Sequence, residues 1–365
     1  MQSNRMSETI AVFDIGGTWF RWGRYHRLRG LVEFWRVPAI NYLSHPALSP
    51  LELQEALADF IIRCVSEMRE RGHRQLDTAG ISLGAPLNAH DLTVLGSGPL
   101  WGPMAKPFNL QARLHEGLPD VQWHIVNDIT ALLARYMDRG ISHKKTLLVT
   151  VSSGIGSRLY DHRTGRIPYD ASHGIQGEIG HLVSPFELDG KLMARRCECG
   201  GWNHMNAFSS GRGIAQTLLN LPSLSSDYRA VFPDPPDSWH QAGDEYRLGA
   251  FKAQLGCDNA AAAKLLDALV TPLTRALAAA LSMDPDIDRI VITGGVAHAL
   301  GIHYRKALQR TFARDGLYQI TDRDPHYLER RLHWEDADDF AGLRGVGIYA
   351  AKILKAQDTF TYARN

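Results

Sequence analysis

Three apolar stretches in this chain each end in a glycine turn, and any fold must carry those turns at the ends of strands. Ile10-Ala-Val-Phe13 runs into Asp14-Ile15-Gly16-Gly17-Thr18. Thr146 to Val151 runs into Ser152-Ser153-Gly154-Ile155-Gly156, and Arg289 to Thr293 into Gly294-Gly295. Short apolar runs bounded by turn residues read as strands. Glycine lets a phosphate approach the backbone, because a Cβ would hold it off. The N–H groups that follow such turns can face an anion. One turn of this kind is as readily an ordinary tight turn. Three in strand-ending positions, the first carrying a carboxylate and a hydroxyl, point to a nucleotide and its metal. None matches Gly-x4-Gly-Lys-Ser/Thr, so the nucleotide is held in a different way.

The remaining pattern is mixed α/β. Trp19 to Tyr25 alternates like the second strand of a hairpin, and Thr78 to Leu83 is a strand cut by Gly84-Ala85-Pro86. Leu51 to Arg71 has helical periodicity, with Leu51, Leu53, Ala56, Leu57, Phe60, Ile61 and Val65 on one face. Gln122 to Val126 is a strand; Asn127 or Asp128 then caps a helix expected to reach about Met137 and stop at Gly140. Ala260 to Leu281 is alanine-rich and helical, Leu221 to Asp244 reads as an exposed loop or insertion, and Gly342 to Leu354 as a closing helix.

Composition removes several classes of function. Forty basic and 39 acidic residues leave a net charge of +1, which gives no sign of a nucleic-acid groove or a polybasic membrane anchor. No run reads as the roughly 18 apolar residues that a bilayer span needs. The first eight residues lack an apolar signal core, Met6 could serve as the start, and a reducing cytoplasm is the expected compartment. Length suggests about two domains. Four cysteines are too few for a disulfide framework. Cys64 and Cys257 are expected to be small buried hydrophobes.

Two further groups carry chemistry. Asp128 stands with Asn127 where a strand meets a helix. An Asn-Asp pair there most often only caps the helix, yet Asp128 can also point at a reacting hydroxyl while the helix N-terminus keeps it ionised. A weak base suffices, because phosphoryl transfer is mostly positioning and charge stabilisation. The second group is Glu178-Ile179-Gly180-His181 with Cys197-x-Cys199-Gly200-x3-His204. Two thiolates and two imidazoles make a closed four-coordinate set suited to structural zinc. The alternative is two cysteines that happen to lie near two surface histidines.

Asp14–Thr18, Asn127-Asp128, Gly177–His181 and Cys197–Gly211 together resemble the ROK family of sugar kinases and related repressors, over essentially the whole chain. The resemblance implies a two-lobed, actin-like/ribonuclease-H-like ATPase fold with a cleft between the lobes. Residues 1–139, with a closing helix at about 343–365, would form the small lobe, and 140–342 the large lobe with the zinc motif. It implies Asp128 as catalytic base, Asn127, Glu178, His181 and Asn206 at the substrate, and His181, Cys197, Cys199 and His204 on zinc. Gly16, Gly17, Thr18, Ser153, Gly154, Gly156, Gly294 and Gly295 would contact ATP, with Asp14 organising Mg2+, in a homodimer acting on a small polyol.

The chain departs from the family pattern Cys-x-Cys-Gly-x-x-Gly-Cys-x-Glu. His204 replaces a cysteine ligand and Asn206 a glutamate that grips the anomeric end of a sugar. A carboxylate only accepts hydrogen bonds, whereas an amide donates and accepts. Ser157-Arg158 replaces small residues; Arg158 could contact a phosphate, but it reads more readily as a solvated strand residue. An altered anomeric contact suits a substrate without an anomeric centre, such as the C7-cyclitols that one branch of the family phosphorylates. A glucokinase or other hexose kinase is the close competitor. A non-catalytic sugar-binding regulator is disfavoured, since about ten residues before the first strand leave no room for a DNA-reading domain of roughly 60 residues.

Overall fold

The computed structural model describes residues 8–72, 76–102, 104–137, 143–224, 241 and 243–362. The chain divides into two compact units. Unit 1 is Met1–Arg139 with Pro168–Gln176 and Asp338–Asn365, and unit 2 is Gly140–Ile167 with Gly177–Ala337. No sequence signal marks Pro168–Gln176 as part of unit 1.

Unit 1 opens with β1 (Thr9–Ile15), β2 (Trp19–His26) and β3 (Gly30–Pro38), an antiparallel meander. Then come α1 (Pro50–Glu70), β4 (Thr78–Leu83), α2 (Gly98–Trp101), α3 (Leu110–Gly117), β5 (Gln122–Asn127) and α4 (Asp128–Ala134). The sheet order is β3-β2-β1-β4-β5, with β1, β4 and β5 parallel. That order is the ribonuclease-H-like sheet implied by the resemblance. α4 ends at Ala134, short of the expected Met137, and Gly140 lies outside the described residues.

Unit 2 contains β6 (Lys145–Val151), β7 (Ile155–Asp161), a 3-10 turn at Ile179–His181, β8 (Phe186–Leu188) and β9 (Lys191–Met193). It continues with α5 (Asn206–Ser209), α6 (Gly211–Leu224), α7 (Asp244–Gly256), α8 (Ala260–Met283), β10 (Ile287–Thr293), α9 (Gly295–Asp315) and β11 (Leu332–Trp334). The main sheet is β11-β10-β6-β7, parallel except for the β6–β7 hairpin. The expected insertion shrinks, because Leu221–Leu224 completes α6 and Asp244 begins α7; 225–240 and 242 lie outside the described residues. The chain then closes with α10 (Ala341–Tyr362), in unit 1.

From Ile10 to Ile15, β1 is apolar at every position but Asp14, because helices cover both of its faces. Ala11, Phe13 and Ile15 pack with Leu53, Leu57, Phe60, Ile61 and Val65 of α1. Ile10 and Val12 face Leu343, Val346 and Ala350 of α10. Burying each large side chain contributes about 1.5–3 kcal/mol. α1 starts in a capping box: Ser49 Oγ accepts from Glu52 N–H, and Glu52 Oε2 accepts from Ser49 N–H at 2.7 Å. Leu51, expected on the buried face, is 60% exposed in the first turn, and Ala58 is buried instead.

Three other expectations change. Arg158 is buried, not solvated, because the segment at Gly177 runs along β7; Ser157 N–H donates to Gly177 O at 2.8 Å. Cys257 is exposed because it ends α7, just before Asp258 turns at φ 54°. Among the described helices, α8 is long and apolar enough to cross a membrane by composition, contrary to the expectation of no such run. Its Leu265, Leu266, Leu269, Val270, Leu273 and Leu277 line the core of unit 2. Cys64 is buried as expected, and burial pushes its thiol up to about 12.

α10 lies so close to its neighbours that three of its positions admit only glycine. A Cβ at Gly345 would stand 2.0 Å from Ala131 O, and one at Gly347 would stand 2.3 Å from the Tyr25 ring. Gly345→Ala is expected to lower unfolding free energy in urea by about 3 kcal/mol, since backbone cannot yield. Gly249→Ala, at an open position in α7, should instead gain about 0.5–1 kcal/mol.

Candidate active site

In unit 1 the ends of three parallel strands meet. Asp14 is paired across β1 with Ser82 on β4 and Arg21 on β2. Ser82 Oγ donates to Asp14 Oδ1 at 2.9 Å, and Arg21 Nη1 lies 3.5 Å from Oδ2. Its place in β1 turns Asp14 to the same side as Ile10 and Val12, toward α10, where a Cβ on Gly342 would stand 2.4 Å from its Oδ1. The side chain is 18% exposed. Desolvation holds its carboxyl above the usual carboxylate range, against the lowering by Ser82 and Arg21. Neither Ser82, Arg21 nor Gly342 was picked out as a site residue from sequence; only the glycine spacing of Gly342–Gly347 carried a signal.

Asp128 is the first residue of α4, and Asn127 before it is the cap. Asn127 Oδ1 accepts from Ile129 N–H at 3.0 Å, and its Nδ2 donates to Ala85 O at 3.2 Å, so both ends of the amide are engaged. Asp128 Oδ1 accepts from Ile129 N–H at 2.8 Å, while Oδ2 is turned toward Gly84, where a Cβ would stand 3.5 Å away. Gly84 N–H donates to Ile15 O at 3.2 Å, which ties the ends of β1 and β4 together. The first glycine turn lies beside them. Gly17 has a packing reason of its own, since a Cβ there would stand 2.6 Å from Pro99 Cβ, whereas at Gly16 a Cβ would stand 3.6 Å from Trp19 O and Thr18 is exposed.

In unit 2 the other two glycine turns come together. Gly294, at φ 107°, passes over Val151, whose carbonyl oxygen would lie 2.5 Å from a Cβ. It is the N-cap of the 21-residue α9 and supplies no side-chain cap, so the first N–H groups of that helix suit an anion. A Cβ at Gly295 would stand 4.0 Å from Ser152 Oγ. Ser153 is exposed on the β6–β7 turn, Gly154 lies next to the Asn206 amide, and Gly156 sits inside β7 opposite Thr150.

His181, Cys197, Cys199 and His204 converge with all four ligand atoms within 4.8 Å of one another. Cys199 Sγ is 3.1 Å from His204 Nδ1, the two Nδ1 atoms are 3.4 Å apart, and Cys197 Sγ is 4.0 Å from His181 Nδ1. A tetrahedral zinc-type centre needs neighbouring ligands roughly 3.3–3.8 Å apart. The donor set fits. Burial pushes the Cys197 thiol up, a cost that a bound cation offsets by favouring thiolate. The His204 ring packs on Gly201, where a Cβ would stand 2.3 Å away. Arg195 fastens the loop to α6: its guanidinium donates to Ala207 O, Gly213 O and Thr217 Oγ1 at 2.8–3.0 Å. Glu178 is exposed just before the 3-10 turn, and Asn206 starts α5.

A family model described as ROK family matches residues 40–352, a range that starts after the Asp14 turn. A 2-epi-5-epi-valiolone 7-kinase from Actinoplanes sp. is 38% identical over 93% of this chain and 92% of its own length. A C(7)-cyclitol 7-kinase from Streptomyces hygroscopicus subsp. limoneus is 31% identical over 95% of each chain. The fold is also that of a ROK family glucokinase from Streptomyces griseus, solved with glucose and AMPPNP, at a TM-score of 0.66 and 18% identity, covering 94% of this chain and 99% of that one.

Metal analysis of the purified, reduced protein is expected to find about one bound cation per chain, and Cys199→Ser to lower that content at least threefold. Asp14 gives a prediction with a definite sign. Its folded form holds the proton more tightly than the unfolded chain does, so its stability contribution is present below the usual carboxylate range and is lost as pH rises through the folded value. Asp14→Asn should therefore melt higher than the parent at pH 8 without nucleotide or metal, with the gap closing toward pH 4.

Proposed function

The chain belongs to the ROK family, and on that premise we propose that it is an ATP-dependent kinase of a C7-cyclitol, transferring phosphate to a primary hydroxyl. The substrate class is supported by 38% identity to a valiolone 7-kinase over 93% of the chain. The observation that carries the chemistry is Asp128, at the start of α4 just past the end of β5, with Oδ2 toward the side-chain-free Gly84. Asp128 accepts the proton of the attacking hydroxyl as the oxygen–phosphorus bond forms and the bond to the departing ADP breaks. Asp14 would hold Mg2+, directly or through water, and that ion would neutralise charge on the phosphates. Gly16, Gly17 and Thr18 in unit 1, and Ser153, Gly154, Gly156, Gly294 and Gly295 in unit 2, are assigned to ATP. Asn127, Glu178, His181 and Asn206 are assigned to the cyclitol. The Cys/His set would hold a structural zinc, with no open position for chemistry. Cysteines kept as thiols suit a reducing compartment such as the cytoplasm.

A hexose kinase or a non-catalytic regulator would need the same fold, and the likeness to the glucokinase at 18% identity speaks to fold alone. ADP release should be measured with C7-cyclitols, glucose, mannose, fructose and N-acetylmannosamine, for the parent and for Asp128→Asn. A cyclitol is expected to give the highest kcat/KM, and Asp128→Asn to lower kcat by about 10³-fold or more while cyclitol binding persists. A strong preference for glucose overturns the cyclitol reading, and near-normal turnover by Asp128→Asn overturns the base.

A further inference from the structure

The turn between β1 and β2 ties its carbonyls to the protein and leaves two N–H groups open. Gly17 O accepts from Asn41 Nδ2 at 2.7 Å, and Thr18 O accepts from Ala39 N–H at 2.9 Å. Gly16 N–H is returned to Trp19 O at 3.2 Å. Gly17 N–H and Thr18 N–H have no partner among the described residues, and Thr18 is exposed. In a trans peptide the C=O and the following N–H point in opposite directions. Holding Gly17 O toward Asn41 therefore turns Thr18 N–H away from Asn41.

Asn41 can hold that peptide because its own amide is fixed. It is 9% exposed, and its Oδ1 accepts from Leu43 N–H at 2.9 Å and from Ser44 N–H at 2.8 Å. Only Nδ2 is then left to face Gly17. The next residue, Tyr42, donates its N–H to Leu100 O of α2 at 3.0 Å and lays its ring against Gly102. Ser97, the cap residue of α2, donates from Oγ to Gly84 O at 3.1 Å, beside Asp128. The anchor of the turn is thus built into the same frame as the end of β4. Two successive glycines would otherwise let the Gly17–Thr18 peptide turn over, and a carbonyl would then face an incoming anion.

We propose that Asn41 is a positioning residue for the nucleotide, which sets the Gly17–Thr18 peptide so that Thr18 N–H, together with Gly17 N–H, meets a phosphate of ATP. This rests on the assignment of that turn to ATP above and adds a residue from outside it. Asn41 acts through Gly17 and needs no contact with the nucleotide. The glycines give a phosphate room to approach, and Asn41 removes the freedom that they bring.

The test compares the parent with Asn41→Asp and Asn41→Ala in binding AMPPNP with Mg2+, adenosine and a C7-cyclitol. Asn41→Asp keeps the acceptor for Leu43 and Ser44 and loses the donor to Gly17. Both variants are expected to bind AMPPNP about tenfold more weakly, with adenosine and cyclitol binding unchanged. The KM for ATP should rise by a similar factor while the KM for the cyclitol holds. At high salt, which screens the charge that Asn41→Asp introduces, its loss should persist; this series decides the matter if Asn41→Ala does not fold. A parent that phosphorylates a cyclitol, with variants that keep its affinity for AMPPNP, overturns this proposal alone. So does a loss confined to Asn41→Asp that disappears at high salt, or an equal weakening of adenosine. A parent that binds no AMPPNP overturns the kinase reading and this proposal with it.

Discussion

Where one stretch of backbone passes within contact distance of another, no Cβ fits, and much of this molecule is organised around such passages. Gly294 crosses Val151 with 2.5 Å left for a Cβ, and Gly345 of α10 crosses Ala131 with 2.0 Å. Gly342 leaves the space that the Asp14 carboxylate fills. These crossings stand at the carboxyl ends of strands or on the helix that covers them, where a parallel sheet exposes backbone to a ligand. The same absence of side chains that permits tight packing also exposes N–H groups for anions. Packing and ligand binding therefore draw on the same residues, and a glycine in a phosphate turn can have a purely steric reason, as Gly17 has against Pro99.

Asp14 shows how such a site is held against its own cost. The end of β1 is desolvated because α1 and α10 cover both faces of the sheet. A charge there is unfavourable, and Ser82 and Arg21, its partners in strand register, recover only part of the loss. A carboxylate left short of partners in a dry setting has much to gain from a divalent cation. The Cys/His set follows the same logic, with the buried Cys197 thiol pushed up and three further donors within reach.

Strands β1, β4, β6 and β10 were legible because burial on two faces writes a largely apolar run, and β5 was legible from Trp123, Ile125 and Val126. β3 was not: it is mostly half-exposed, with Glu33, Phe34, Arg36 and Pro38 open to solvent, so no run forms. α9 was missed because its apolar residues are interrupted by His298, His303, Arg305 and Lys306 along a helix that bends at Gly301. The four metal ligands could be read from spacing, since a short loop brings them together. Ser82 and Arg21 could not, because strand register pairs them with Asp14 from 68 and 7 residues away. Arg158 was misread because the cover over β7 comes from a segment some twenty residues later in the chain.

His204 and Asn206 lie two residues apart and are fixed by unrelated contacts. His204 is seated on Gly201 and bridged to Val183, while Asn206 is tied to the first N–H of β7. The backbone that carries Asn206 is held by α5, which Arg195 fastens through Ala207. When geometry is that constrained, replacing one group by another of the same shape changes only which atoms donate and which accept. An amide in the place of a carboxylate then acts as an inversion of polarity at an unchanged location.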